Sequence, residues 1–348
     1  MDFLFTSEQD EAAELAARIL ADRTTNERLK EVEADGDRFD RELWSDLADA
    51  GLLSLHLPEE YDGAGLGLVE LARVLVEVGR RVAPVPLAVH GPATLLLAEQ
   101  GRDPGRGLVT AAVAEEHSHL PAEPTVTAAA DGALAGTKTL VRAGMAADAL
   151  LVTATGPTGV GVHLVDATAP GVSRVAQRTS DGDRTARISF SGAPATLVGN
   201  ATAATRLGQL LTACAAAEQL GVTEGALTLT AEYAKTREQF GRPIGTFQAV
   251  SQRLADGFID VLGQRLTLWQ AIWRLSEGLP AATEVATAKL WAADAGHRIA
   301  HTTVHVHGGV GIDLDGEAHR YFTSGKRFEF LFGGATEQAL AIGRSFAS

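Results

Sequence analysis

The spacing of apolar residues changes twice along this chain of 348 residues, and the change restricts the fold more than any other feature. Up to about residue 105 the apolar residues recur with helical spacing. From about Leu108 to Gly199, short runs rich in Val, Thr and Ala alternate with Asp-Gly and Pro-Gly turns, which is typical of antiparallel strands. After Asn200 the helical spacing returns. The order predicts an α+β protein with an N-terminal helical domain (residues 1–105), a middle antiparallel β domain of about seven strands (106–199) and a C-terminal helical bundle (200–348).

Helix signals divide the N-terminal third further. Thr6 is expected to cap a first helix, and a second helix is expected to begin near Asp40. Residues 53–57 suggest a short extended piece, which a turn rich in Pro and Gly connects to an amphipathic helix from about Leu68. In the C-terminal third, one helix is expected to bury a single apolar stripe, formed by Leu207, Leu210, Leu211, Cys214 and Ala217.

Composition excludes several classes of function. The net charge is −14 and the pI is about 5.2, so the surface as a whole repels nucleic acids and anionic lipids, although a local arginine cluster could still bind phosphates. Cys214 is the one cysteine and lies among alanines, which indicates a core thiol in a reducing compartment. The acidic N-terminus does not have the pattern of a signal peptide, and no apolar stretch is long enough for a membrane span. We therefore expect a cytoplasmic protein.

The segment Tyr233 to Asp256, YAKTREQFGRPIGTFQAVSQRLAD, is the most specific motif. It predicts a helix, a Gly-Arg-Pro break and a second helix that begins after Thr246 and Phe247. Arg237 is expected in the last turn of the first helix, with Gln239 and Phe240 just beyond it. A cation, an amide and an aromatic ring at one corner could bind a diphosphate and stack on an adenine. Alternatively, Arg237 caps helix carbonyls and Phe240 belongs to the core.

Two glycine pairs near the C-terminus are further candidates. In FLFGGATEQ, Gly333 and Gly334 mark either a plain turn or the floor of a site. In HVHGG, His305 and His307 would lie on one side of an extended chain, but two imidazoles with no nearby carboxylate are a weak ligand set. No metal site is predicted, and the sequence has neither a Walker loop nor a dinucleotide-binding glycine fingerprint.

The motif at Tyr233 to Asp256 resembles the signature of the acyl-CoA dehydrogenase family. The resemblance extends over nearly the whole chain, in the same order, through Leu43 to Leu71, Gly136 to Ala154 and His307 to Phe322. It implies the acyl-CoA dehydrogenase fold and FAD as cofactor. It also implies a reaction in which a carboxylate removes the α proton of an acyl-CoA, the flavin takes the β hydrogen as hydride, and an electron-transfer flavoprotein-type acceptor receives the electrons.

The resemblance fails where the family has its catalytic carboxylate. The usual base position falls on Phe332 or, with a shift of one residue, on Gly333. The other position that the family uses aligns with Leu211. Glu329 and Glu337 lie nearby, but one helical turn moves a carboxylate by about 5 Å, too far for a proton transfer over about 3 Å. No catalytic residue is therefore predicted, and either glutamate stays open as a displaced base.

The cofactor groups that the family uses are unevenly present. In the family, two segments contact the flavin that is bound to the same subunit. The corresponding segments of this chain differ from the family's sequence, at residues 114–126 (AEEHSHLPAEPTV) and at Leu140, Val141 and Arg142. By contrast, the groups that reach a neighbouring subunit's FAD are retained, with a histidine in place of the usual glutamine. The resemblance therefore predicts these cofactor-binding residues: Arg237, Gln239, Phe240, Gln248, His305, Gly308 and Gly309.

This pattern resembles the base-lacking subunit of the heterotetrameric (α2β2) acyl-CoA dehydrogenases of bacterial steroid side-chain degradation. The resemblance implies a partner subunit that bears the base, a bulky acyl-CoA substrate and a chain that is inactive alone. Two alternatives are a flavin monooxygenase-like family member and a structural or regulatory paralogue that binds no flavin. Asp181 to Asp183 are expected to form an ordinary turn, and the four tryptophans are expected to pack between helices.

Overall fold

The computed structural model describes residues 4–346, and its helices and strands follow the predicted order of helical, β and helical segments. The helices before the sheet are α1 (Ser7–Arg23), α2 (Asn26–Ala34), α3 (Arg41–Asp49), α4 (Leu68–Arg80) and α5 (Leu87–Glu99). The helices after it are α6 (Ala201–Thr236), α7 (Gln248–Ser276), α8 (Ala282–His307), α9 (Ala318–Phe330) and α10 (Ala335–Ser345). The α+β class is confirmed.

Side-chain caps fix the first two predicted helix starts. The Gln9 N–H donates to the Thr6 hydroxyl at 3.4 Å, and the Thr6 N–H donates to the Gln9 side chain at 3.0 Å. The Asp40 carboxylate accepts hydrogen bonds from the backbone N–H groups of Glu42 and Leu43, each at 3.1 Å. Both predictions are confirmed. The helices begin at these residues because the caps satisfy N–H groups that have no partner inside the helix.

Three local expectations differ from the structure. Helix α2 was not predicted, because its sequence is mostly charged and it buries only Leu29 and Val32. Residues 53–57 form turns rather than an extended piece, although their alternating leucines are buried as they would be in a strand. Helix α6 ends at Thr236, so Arg237 follows the helix, and its N–H still donates to the Tyr233 carbonyl at 2.9 Å.

The middle segment forms one sheet, which has eight strands within the described residues. They are β1 (Val109–Ala112), β2 (Thr127–Ala128), β3 (Leu134–Arg142), β4 (Ala149–Gly156), β5 (Gly159–Asp166), β6 (Val172–Arg178), β7 (Arg184–Ala193) and β8 (Thr196–Gly199). The main path runs β6-β7-β3-β2-β4-β5-β8, and β1 pairs with β4. All pairs are antiparallel except those of β4 with β1 and β2. The prediction of a mostly antiparallel sheet is confirmed, with one strand more than expected.

The helices after the sheet pack around α8, which contacts α7, α9 and α10. Between α6 and α7 the chain forms a small hairpin from β9 (Glu238–Gln239) and β10 (Arg242–Pro243). The predicted apolar stripe of α6 is fully buried, at Leu207, Leu210, Leu211, Cys214 and Ala217.

The chain divides into two compact units. One contains the chain up to Ala34, Leu68–Pro84 and the chain from Ala215 onward; the other contains Asp35–Gly67 and Val85–Cys214. The three domains expected from the sequence remain a prediction. Within residues 4–346, every helix is too short or too polar to cross a bilayer.

Candidate functional site

The turn that joins α6 to α7, here called the α6–α7 corner (residues 237–248), has a backbone conformation that exposes its side chains to solvent. Gln239 pairs with Arg242 across the β9–β10 hairpin, and the two residues at its tip, Phe240 and Gly241, have φ angles of 53° and 76°. Such a tip requires a glycine and places the neighbouring side chain outside the fold. The Phe240 ring is accordingly 93% exposed. The interpretation of Phe240 as a core residue is wrong.

The polar side chains of the corner are exposed as well. Arg237, Gln239 and Gln248 all lie at the surface, as does Arg242. The Arg242 guanidinium lies 4.3 Å from the centre of the Phe247 ring, and that ring meets Phe240 edge to face at 6.1 Å. The corner therefore presents a cation, amides and an aromatic face to a ligand.

The end of α8 packs against the base of this corner. The ring of His307 stacks on Tyr233 with 4.3 Å between centroids, and Val306 is buried against Ala234 and Ile244. This contact joins the corner to the glycine turn that follows α8. Gly308 has a φ of 64° and a ψ of −140°, a conformation that favours glycine.

The two histidines near this turn do not share a side of the chain. His305 and His307 belong to α8 rather than to an extended segment, and residues two apart on a helix point in widely different directions. His305 is exposed, whereas His307 is buried with its Nδ1 at 2.8 Å from the Thr303 carbonyl. Within the described part of the chain, no group of three or more potential ligands could hold a metal ion.

The positions that the resemblance assigns to the family's base carry no carboxylate and are buried. Phe332 is 7% exposed and Leu211 is fully buried. Phe332 and Gly333 have φ angles of 58° and 98°, and the Gly333 N–H donates to the Phe330 carbonyl at 3.0 Å, so residues 330–333 form a turn and Gly334 is the N-cap of α10. A buried phenyl ring and a leucine cannot accept a proton at either position.

The two nearby glutamates have other partners. The Glu337 carboxylate accepts a hydrogen bond from the Gly334 N–H at 2.7 Å and so caps α10. The Glu329 carboxylate contacts Lys326 and lies 3.1 Å from the His297 ring nitrogen. Burial raises the pKa of Glu329, but the hydrogen bonds from Lys326 and His297 outweigh it and hold that pKa below its usual value. A lowered pKa makes Glu329 a poorer base.

Sequence reasoning missed a buried lysine beneath this segment. The Lys289 ammonium, on α8, donates to the carbonyls of Phe328 and Glu329 at 3.0 and 3.2 Å and so holds the end of α9. Its side chain is almost fully buried. Burial lowers the pKa of Lys289 to about 7, although Glu329 and Glu337 act in the opposite direction.

This lysine gives a prediction for the pH dependence of stability. The unfolded chain keeps the Lys289 proton up to a pKa of 10.5, whereas the folded chain releases it above about 7. Raising the pH through this window therefore favours the folded state. Relative to Lys289→Met, the wild-type free energy of unfolding should rise with pH by up to about 1.4 kcal/mol per unit. Urea unfolding of the wild type and the variant at pH 7, 8 and 9 would measure this difference in free energy. If the two free energies of unfolding changed with pH in parallel, the prediction would be contradicted. Lys235→Met, at an exposed lysine, is the control and should follow the wild type.

In the other unit, the three positions aligned with the family's flavin-ring contacts are engaged within the fold. Leu140 has a φ of 52° at a bulge in β3, and Val141 is buried. Arg142 is also buried, and its guanidinium donates to Asp183 at 3.0 Å and to the Val85 carbonyl at 3.3 Å. The arginine is thus held by protein groups.

The segment Asp181 to Asp183 is more than the ordinary turn that the sequence suggested. Both aspartates are buried; Asp183 pairs with Arg142, and Asp181 pairs with Arg38 at 2.6 Å. The sequence gives no local signal for either pair, because 41 and 143 residues separate the partners.

The segment 114–126 is held by a third buried ion pair. The Glu115 carboxylate accepts hydrogen bonds from the N–H and hydroxyl of Thr125 and from the Val126 N–H, at 2.7 to 3.1 Å. Lys138, on β3, donates to the same carboxylate at 2.7 Å. A lysine at an inward position of a strand was the one sequence signal for this pair.

Comparison with known proteins supports the family that the sequence resembles. Residues 6–106 match the family model "Acyl-CoA dehydrogenase, N-terminal domain", and residues 203–346 match "Acyl-CoA dehydrogenase, C-terminal domain". The acyl-CoA dehydrogenase FadE27 of Mycobacterium tuberculosis is 45% identical over 100% of this chain and 99% of its own length.

Two solved structures are similar over nearly the whole chain. One chain of the ChsE4-ChsE5 complex from Mycobacterium tuberculosis is 45% identical with a TM-score of 0.95, over 100% of this chain and 99% of that one. A chain of the Tcur3481-Tcur3483 steroid ACAD is 41% identical with a TM-score of 0.93, over 98% of each chain. This chain therefore belongs to the acyl-CoA dehydrogenase family, a family of oxidoreductases, and the predicted acyl-CoA dehydrogenase fold is confirmed.

Proposed function

We propose that this chain is the base-lacking subunit of a heterotetrameric (α2β2) FAD-dependent acyl-CoA dehydrogenase. The enzyme would introduce an α,β double bond into a bulky, steroid-derived acyl-CoA in the cytoplasm and pass electrons to an electron-transfer flavoprotein-type acceptor. The partner subunit would supply the catalytic glutamate, and this chain alone would be inactive.

The absence of a carboxylate at both base positions carries the proposal. Phe332 and Leu211 are buried apolar side chains, and the neighbouring Glu329 and Glu337 are engaged with a lysine, a histidine and a helix N-terminus. Removal of the α proton therefore requires a base from another chain.

The α6–α7 corner fits a cofactor that a neighbouring subunit holds. An exposed guanidinium suits a diphosphate, and an exposed phenyl ring suits an adenine. Phe240 is 93% exposed, so its ring is available for stacking on a ligand. The residues that would contact the FAD are Arg237, Gln239, Phe240, Gln248, His305, Gly308 and Gly309. Bound FAD would supply the hydride acceptor of the desaturation.

The positions that would meet this chain's own flavin ring are less suitable. Arg142 is bound to Asp183 and the Val85 carbonyl, and freeing it would take a cation away from a buried carboxylate. This supports one flavin per pair of unlike chains rather than one per chain. Similarity to chains of the ChsE4-ChsE5 complex and of a steroid ACAD also favours a heteromeric assembly and a steroid substrate.

The flavin content tests the proposal. The chain would be purified alone and after co-expression with a base-bearing acyl-CoA dehydrogenase subunit from the same source, and absorbance near 450 nm would be compared with protein concentration. We expect no flavin on the isolated chain and one FAD per heterodimer in the complex. A full complement of flavin on the isolated chain would contradict the proposal and favour a monooxygenase-like enzyme; no flavin in either sample would favour a structural paralogue.

Arg237 provides the corresponding mutational prediction. Arg237→Ala in the complex should weaken FAD retention at least ~10-fold, because a charge-assisted contact with the diphosphate is lost. Equilibrium dialysis of the flavin from the complex would measure this affinity. Arg102→Ala, an exposed arginine in the other unit, is the control and should leave FAD retention unchanged. Equal retention by both variants would exclude Arg237 from the cofactor site.

A further inference from the structure

Histidines are concentrated near the end of α8. Five of the ten histidines of the chain fall between residues 297 and 319: His297, His301, His305, His307 and His319. A local enrichment in histidine is a composition typical of metal binding. The first three recur at every fourth position of α8, and residues four apart are neighbours on one face of a helix. Helix α8 therefore carries a stripe of three imidazoles.

Two of these imidazoles, His297 and His301, are in contact. Their ring centres are 4.5 Å apart, and the ring planes are inclined by 47°. Zinc lies about 2.0–2.1 Å from an imidazole nitrogen that binds it, and so about 3.2 Å from the centre of that ring. Ring centres at the observed separation then correspond to an angle of about 90° at a shared ion, the angle between neighbouring ligands in octahedral coordination. His305 is about 12 Å along the helix axis from His297, so one ion cannot bind both.

A carboxylate lies beside the first of these rings. Oε2 of Glu329, on α9, is 3.1 Å from Nδ1 of His297. A histidine that binds a metal through one nitrogen typically donates its other N–H to such a group, which fixes the tautomer and raises the basicity of the ligand. When the Nδ1 proton of His297 is donated to Glu329, Nε2 carries the lone pair. Glu329 can therefore support the ring without binding the ion itself.

The surroundings of the two rings leave room for water. His301 is exposed and His297 is half-buried, so solvent can complete the coordination of an ion. Two imidazoles and water do not require the group of three protein ligands that the described residues lack. Nitrogen ligands favour transition metals, whereas Mg²⁺ and Ca²⁺ require oxygen ligands.

We propose that His297 and His301 bind one divalent transition-metal ion at the surface of α8, and that Glu329 orients the ring of His297. Both helices that form the site belong to the same compact unit. None of the three residues is among those that would contact the FAD, so this site does not depend on the flavin assignment.

Lys326 is a cation beside the site. Its ammonium contacts the Glu329 carboxylate and lies 3.0 Å from Nδ1 of His297. A positive charge at this position repels a bound metal ion. Lys326 therefore lowers the affinity of the site, and a variant without this charge should bind metal more tightly than the wild type.

Isothermal titration calorimetry with ZnCl₂ tests the site on the full chain, after dialysis against a chelator and then against buffer. The wild type should bind one Zn²⁺ per chain. His301→Gln should weaken this binding at least ~10-fold, because one of the two protein ligands is lost. Glu329→Ala should also weaken it by about 10-fold, the effect of removing the hydrogen-bond partner of a ligand.

His305→Gln is the matched control, since it removes an exposed histidine from the same stripe. It should leave the Zn²⁺ affinity unchanged. Equal affinities of the wild type and His301→Gln would overturn the proposal, and so would a loss in His305→Gln as large as that in His301→Gln.

Two further titrations distinguish a metal site from a contact that only supports the fold. Lys326→Met should bind Zn²⁺ at least ~2-fold more tightly than the wild type, because the repulsive charge is lost; a purely structural role predicts no gain. Cu²⁺ should bind more tightly than Zn²⁺, and an excess of Mg²⁺ should not displace the Zn²⁺. An unchanged or lower affinity of Lys326→Met, or displacement by Mg²⁺, would contradict the proposal.

Discussion

Replacing Lys138 by methionine should lower the free energy of unfolding by about 3–5 kcal/mol. Lys138 is fully buried, and its ammonium donates to the Val113 carbonyl, the Glu115 carboxylate and the Thr153 hydroxyl at 3.2, 2.7 and 3.0 Å. Methionine has a similar volume but no charge, so it leaves a buried carboxylate without its cation. Denaturant unfolding of the full chain measures the loss.

A double variant separates charge from packing. Glu115→Gln in the Lys138→Met background removes the uncompensated charge, and its carbonyl oxygen in the Oε2 position still accepts the two hydrogen bonds from Thr125. We expect this double variant to recover a substantial part of the lost stability, because replacing both members of a buried pair costs less than removing one. If the single variant lost less than about 1.5 kcal/mol, the pair would not hold the segment 114–126 in the way that the burial indicates.

The features that the sequence predicted correctly depend on neighbouring residues. The caps at Thr6 and Asp40, the helical, β and helical order and the break between α6 and α7 all follow from periodicity or from turn chemistry within a few positions. The exposed tip of the α6–α7 corner was not predicted, although a turn with Phe240 and Gly241 at positive φ is encoded by its own four residues. Local signals were therefore sufficient for these helix starts and breaks, whereas the cofactor-binding residues remain a prediction.

The features that the sequence did not predict depend on distant partners. Asp181 and Asp183 have the composition of a turn, and only the fold shows that Arg38 and Arg142 reach them. Lys289 looks like any polar position of α8 until α9 ends against it. Each of these differences concerns the position of a side chain in the folded protein, which the spacing of residues along the sequence does not determine.

The expectation for the two histidines failed for a simpler reason. A common side for His305 and His307 requires extended chain, whereas α8 continues to His307. The Gly-Gly pair that follows gives the stop signal of a helix, and α8 ends at this pair.

The uneven site has a consistent physical interpretation. An enzyme that uses its own flavin and its own base needs both halves of the site on one chain. Here the side chains of the α6–α7 corner are exposed, and the positions that the resemblance assigns to the base and the flavin-ring contacts carry buried apolar groups and a buried ion pair. Under the proposed function, these replacements leave the chain's own site incomplete. This arrangement supports a division of labour between two unlike chains.

The second large expected effect concerns the crossing of α4 and α6. At the two glycines where the helices cross, there is no space for a side chain. A Cβ atom at Gly221 would lie 1.9 Å from the Val76 carbonyl oxygen, and one at Gly79 would lie 1.8 Å from the Glu218 carbonyl oxygen. Both obstacles are backbone atoms, so relief requires the helices to move apart. Gly221→Ala should therefore lower the free energy of unfolding by about 3 kcal/mol or more.

A matched glycine shows whether this loss comes from contact or from helix propensity. Gly343 lies within α10, and a Cβ atom there would meet nothing within 4 Å. Gly343→Ala should raise the free energy of unfolding by about 0.5–1 kcal/mol, because alanine loses less backbone entropy on folding. Urea unfolding of the two variants should thus give changes of opposite sign. If Gly221→Ala were as stable as the wild type, α4 and α6 could not be in backbone contact, and the packing of this unit would have to differ from that described.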